Sequence, residues 1–206
     1  MRFRLFFIFI FAVVFISGGL YPAQAGEPTH QVKQSVDKVL DILKDKELKK
    51  PSKTKDRRAA IRSIVSERFD FEEMAKRSLA LHWRTRTPEE RKEFVSLFTD
   101  LLERSYIKKI ETYTDEKINY TAERIEGDYA DVNTKILTKR NVEIPIEYRL
   151  IKKKDWQVYD VVIEGVSLIN NYRTQFNKVI RTNSYAELVK RMKNKQEEEL
   201  FEDKTK

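Results

Sequence analysis

The stretch Val142-Glu-Ile-Pro-Ile-Glu-Tyr-Arg-Leu150 alternates apolar and polar residues without a break. Side chains of a strand point alternately to its two faces, so a period of two marks a strand with one face buried and one wet. The same period runs through the residues before it. Ile118, Tyr120 and Ala122 alternate with Asn119, Thr121 and Glu123, and Val132, Thr134 and Ile136 with Asn133 and Lys135. Gly127-Asp128, Lys139-Arg140-Asn141 and Lys152-Lys-Lys-Asp155 supply the turns between them. The next segment, Trp156 to Ile163, is apolar on both faces. Trp156, Val158 and Val162 share one, and Tyr159, Val161 and Ile163 the other, as in a strand covered from both sides. Asp160 lies inside it and needs a partner. Four antiparallel strands are expected.

On either side of this block the period returns to that of a helix. Val32, Val36, Val39, Leu40 and Leu43 form one amphipathic stripe. Lys44 to Arg58 holds one apolar residue and a proline and reads as a solvated turn. Ala60, Ile61, Ile64 and Val65 then share a helical face. Asp70 and Glu73 are spaced as an N-cap pair before Met74, Leu79 and Trp83. Thr87-Pro-Glu-Glu90 is a stronger start: threonine caps, proline takes the first helical position, and Glu90 reaches back to the cap. The helix it opens carries Phe94, Leu97, Phe98, Leu101 and Leu102, with Ile110 and Tyr113 continuing it. After Gly165, Ser167 caps a helix with Ile169, Tyr172, Phe176 and Ile180 on one face, and Ser184 with Glu187 opens a last one before Leu188 and Met192. Helices, an antiparallel sheet and helices again define an α+β domain.

The chain ends differ from this. Arg2 and Arg4, the apolar run Leu5 to Ile16 and Ala23-Gln-Ala25 have the three-part pattern of a secretory signal. Twelve apolar residues are too few to span a bilayer, which takes about 20. Residues 1–25 are therefore expected to be a cleaved leader, 26–192 one domain, and 193–206 a polar, disordered tail. The predicted location is the periplasm. Loss of Arg2 and Arg4 takes the net charge from +8 to +6, a sign that favours anionic partners such as a lipid headgroup. An exported chain rarely meets nucleic acid, so none is expected as a partner.

Catalysis finds little to use. There is no cysteine, and histidine occurs only at His30 and His82. No Gly-rich phosphate loop, no G-x-S-x-G elbow and no calcium loop occurs. No catalytic or metal-ligating set is predicted. The alternative is a small cone-shaped enzyme using Asp160 as a cavity acid or base. The plainer reading is structural, with Asp160 in a buried ion pair with Arg173.

Phe71-Glu-Glu-Met-Ala75 through Thr87-Pro-Glu-Glu-Arg-Lys-Glu-Phe94, then Tyr159-Asp-Val-Val-Ile-Glu-Gly-Val-Ser-Leu168 with Asn171-Tyr-Arg173 and Phe176, resemble the MlaC/toluene-tolerance family of periplasmic phospholipid-binding proteins. The resemblance spans about Val32 to Met192. Ala80 and Asn183 stand where that family commonly has glycine. The resemblance implies a nuclear-transport-factor-like cone, a curved sheet wrapped by helices around an apolar cavity. It also implies phospholipid as cargo, with no cofactor. The partners it implies are an inner-membrane ABC transporter with an MCE-domain subunit and an outer-membrane lipoprotein–porin complex. If the core is hollow, periodicity nominates as its lining Phe94, Phe98 and Leu101 of the long helix. On the strands it nominates Val142, Ile146, Tyr148, Trp156, Val158 and Val162, and on the Ser167 helix Tyr172 and Phe176.

Overall fold

The computed structural model describes residues 26–113 and 116–194. The expected leader lies outside the described residues, and so does the expected tail of 193–206 from residue 195 on; its first residue, Lys193, closes the last helix. Helix α1 (Glu27–Lys44) has Pro28 in its first turn and buries Val32 and Leu43 from its apolar stripe. Helix α2 (Thr54–Arg68) begins inside the segment read from the sequence as a solvated turn. Lysine and arginine are good helix formers, so a charged run does not by itself stop a helix. Two of the charges are also used: Arg57 and Arg58 meet the Glu111 carboxylate at 2.6 and 2.7 Å.

Asp70 caps helix α3 (Phe71–Leu79) as its spacing predicts, accepting from the Glu73 N–H at 3.0 Å. The helix stops at Ala80, whose φ of +50° turns the chain into a 3-10 segment, Ala80–Thr85. Trp83 is buried from that segment rather than from the helix. Helix α4 (Pro88–Glu111) opens with both bonds of the Thr87–Glu90 capping box. It ends two residues before Tyr113, which the periodicity had included.

The sheet runs β1 (Lys117–Glu126), β2 (Tyr129–Leu137), β3 (Glu143–Lys152), β4 (Trp156–Ile163) and β5 (Val166–Ser167), antiparallel and in chain order. It has five strands rather than the expected four, because a two-residue strand is too short to show a period. A bulge also changes the faces of β4. Arg149 pairs with Asp160 but Leu150 pairs with Val158, leaving Tyr159 as an extra residue. Beyond the bulge the alternation is inverted. Val161 and Ile163 oppose Tyr148 and Ile146, whereas Val162 opposes Glu147 on the other face. Strict alternation had put Val162 with Val158. Helices α5 (Leu168–Thr182) and α6 (Tyr185–Lys193) follow, capped by Ser167 and Ser184.

Three apolar clusters hold these elements. Helices α3 to α6 share the largest, centred on Phe94, Phe98, Leu101 and Phe176. The second packs Val32 of α1 on Val132, Leu150, Trp156 and Val158 of the sheet. The third joins Leu43, Ile61 and Ile107 of α1, α2 and α4.

Candidate functional site

Helix α4 has two apolar faces. Phe94, Phe98 and Leu101 are 0% exposed and face α5. Phe98 meets Tyr172 edge-to-face at 5.4 Å, and Phe94 meets Phe176 the same way at 5.7 Å. These rings fill the space between the helices with the geometry aromatic pairs favour. Leu102, Tyr106 and Ile110 follow at intervals of four and point elsewhere, into a recess of about 250 Å³ bounded by α2, α3, α4 and the sheet. Ile61, Val65, Phe69, Met74, Ile146, Tyr148, Val161 and Ile163 complete most of its wall. A second recess of about 550 Å³ lies between α1, α2, the end of α4 and the same sheet face. Val32, Val36, Val39, Leu40, Ile64, Ile118, Ile136, Ile144 and Val158 line it. Val65, Phe69, Tyr106, Ile110, Ile146, Tyr148 and Ile163 belong to both walls.

The lining nominated from periodicity divides on this geometry. Ile146 and Tyr148 line both recesses and Val158 the larger one. Phe94, Phe98, Leu101, Tyr172 and Phe176 lie in the packed helical cluster and border neither recess. Trp156 is buried in the cluster between α1 and the sheet. Val142 is 53% exposed before β3. Val162 is buried on the face turned away by the bulge. Phe69, Val65, Tyr106, Ile110 and Ile163 were not nominated. For Tyr106 and Ile110 the available sequence signal was a second stripe of α4, Leu102-Tyr106-Ile110.

Charged groups stay at the rims. Arg58, Arg62 and Glu103 edge the smaller recess, and Arg68, Lys109, Glu116 and Glu164 the larger. Arg62 is paired with Asp100 and Glu103, at 2.7 and 2.8 Å. Arg68 is held by Gln31, Ser35 and the Trp156 carbonyl. Burial lowers its pKa. Burial pushes the Tyr148 phenol up to about 12, so it stays protonated at neutral pH.

Asp160 borders neither recess. Its carboxylate accepts from the Ser167 hydroxyl at 2.6 Å and the Ile169 N–H at 3.1 Å, and Arg149 stands 3.5 Å away. The expected ion pair with Arg173 is replaced: Arg173 donates to the Arg77 carbonyl at 3.0 Å. The β4 bulge explains the difference, because it sets Asp160 opposite Arg149. His82 is exposed and bonds Asn177. Among the described residues no group of three or more His, Cys, Asp or Glu side chains is placed to hold a metal. Among them, too, no helix is long and apolar enough to cross a membrane.

An α+β fold with apolar recesses between its helices and one sheet face, and polar groups at their rims, defines a protein built to hold something apolar. The family model for the MlaC protein matches residues 33–194. The intermembrane phospholipid transport system binding protein MlaC of Haemophilus influenzae is 24% identical over 146 residues, 68% of each chain. A solved structure of the phospholipid-binding protein from Ralstonia solanacearum, in complex with a phospholipid, has a TM-score of 0.73 at 24% identity. That likeness covers 86% of this chain and 100% of that one. The chain belongs to the MlaC family.

Proposed function

We propose that this chain is a periplasmic phospholipid carrier, not an enzyme, and that the two recesses are the hollow of a cone that takes the acyl chains. The single observation that carries this is the apolar space between α1, α2, α4 and the inner sheet face, whose larger part of about 550 Å³ falls in the ~300–1,000 Å³ range of ligand pockets. Its lining is mostly aliphatic and aromatic side chains, which suit a hydrocarbon chain. The phosphate headgroup stays at the rim, where water and the charged residues are.

Energetics fix how such a carrier works. Burying a CH₂ from water is worth about 0.8 kcal/mol, so two chains with about 30 CH₂ groups gain ~24 kcal/mol. That exceeds the ~18–21 kcal/mol at which non-covalent affinity saturates. Lipid therefore does not leave into water. It moves between bilayer and recess, apolar to apolar and close to balance, when a docked partner offers a continuous path. The partners are an MCE-domain subunit of an inner-membrane ABC transporter and an outer-membrane lipoprotein–porin complex, and the transporter's ATPase gives direction. Lipid-loaded protein dialysed against buffer should keep its cargo and surrender it to membranes bearing the MCE-domain subunit. Loss of the lipid into plain buffer would contradict the mechanism.

A further inference from the structure

The wall common to the two recesses is apolar except for two phenols, Tyr106 and Tyr148. Tyr148 is the one without a hydrogen-bond partner among the described residues. It sits on β3 between Ile146 and Leu150, in register with Val132 and Val161. No neighbour in that register carries a polar side chain. Its side chain is half-buried and lines both recesses. Its accessible surface is thus part of the recess wall. Tyr120 stands on the same sheet face two strands away, and its hydroxyl is buried without a partner.

An unpaired hydroxyl in an apolar space costs stability unless an acceptor arrives with the ligand. A diacyl glycerolipid brings one at the right place. Its two chains diverge from adjacent ester groups, so a lipid with one chain in each recess has its ester carbonyls at the wall the recesses share. We propose that the Tyr148 hydroxyl donates a hydrogen bond to an ester carbonyl oxygen of a diacyl phospholipid whose two chains occupy one recess each. This rests on the carrier reading and makes Tyr148 a specificity residue: it selects ester-linked from ether-linked lipid, because an ether oxygen is the weaker acceptor and the carbonyl is absent.

The test offers the mature protein mixed vesicles of diester and diether phosphatidylglycerol of equal chain length, and reads the bound lipids by native mass spectrometry. Wild type should be enriched in the diester form about 3–10-fold, the size of one hydrogen bond, and Tyr148→Phe should take both lipids equally. Equal uptake by wild type overturns the proposal whether or not the variant folds. A preference that survives in Tyr148→Phe overturns it too. In both of those cases lipid still binds and the carrier reading stands. Uptake of neither lipid overturns the carrier reading itself.

Discussion

The Asp160 carboxylate accepts a 2.6 Å hydrogen bond from the Ser167 hydroxyl, which itself caps α5 by accepting from the Asn170 N–H at 3.0 Å. With the Ile169 N–H also bound, the acid closes the first turn of α5 onto β4. A negative charge there also suits the helix dipole. This is a structural post, with its lone pairs in use and no access to either recess. Asp160→Ala should cost about 1–3 kcal/mol by leaving the buried Ile169 N–H and the half-buried Ser167 hydroxyl without their acceptor, measured by urea unfolding. The folded fraction should still carry lipid. Full stability with loss of lipid would reverse this assignment.

Ala80 ends α3 with φ +50° and ψ −118°, a backbone region that costs any residue with a Cβ on the order of 1–3 kcal/mol. Glycine has no such penalty. Ala80→Gly should therefore stabilise the chain by about 1 kcal/mol and raise Tm by about 2–4 °C. A lower Tm would show that the Ala80 methyl contributes more by packing than it costs in strain.

Glu111 holds the end of α4 against α2 through Arg58 and Arg57, and these guanidiniums keep its carboxyl below the usual 4.5. Its folded pKa is depressed, so its contribution is complete above about pH 4.5 and is lost as pH falls through the lower folded value. Glu111→Gln should weaken the protein at pH 7 by about 1–3 kcal/mol, and the gap from wild type should narrow below pH 4.5. A gap that stays constant down to pH 3 would remove the charge from the explanation.

Much of the architecture was legible because it is local. The caps at Asp70, Thr87, Ser167 and Ser184 are fixed by neighbours within three residues, and strand period needs only the strand. What could not be read depends on partners far along the chain. One extra residue at Tyr159 inverted the end of β4 and moved Val162 off the recess face. The partner of Arg57 and Arg58 lies more than fifty residues away. Periodicity showed that Phe94 and Ile110 both belong to the helix's apolar positions, but not that one meets packed rings and the other a recess.

That last distinction predicts two different phenotypes. Phe98→Ala removes a ring from the packed cluster and should cost about 3–5 kcal/mol. Protein that remains folded should hold the normal amount of lipid. Ile146→Trp pushes bulk into both recesses, and should change stability by less than it reduces bound lipid. Unfolding midpoints and lipid-to-protein ratios measured on the same samples separate the two. Normal lipid content in Ile146→Trp would mean the recesses are not the site.

The most direct measurement is native mass spectrometry of the protein purified without detergent. A phospholipid carrier should show an added mass of about one diacyl phospholipid, retained through buffer exchange and lost on denaturation. Protein that emerges without lipid, and takes up none from phospholipid vesicles or partner subunits, would contradict the carrier reading.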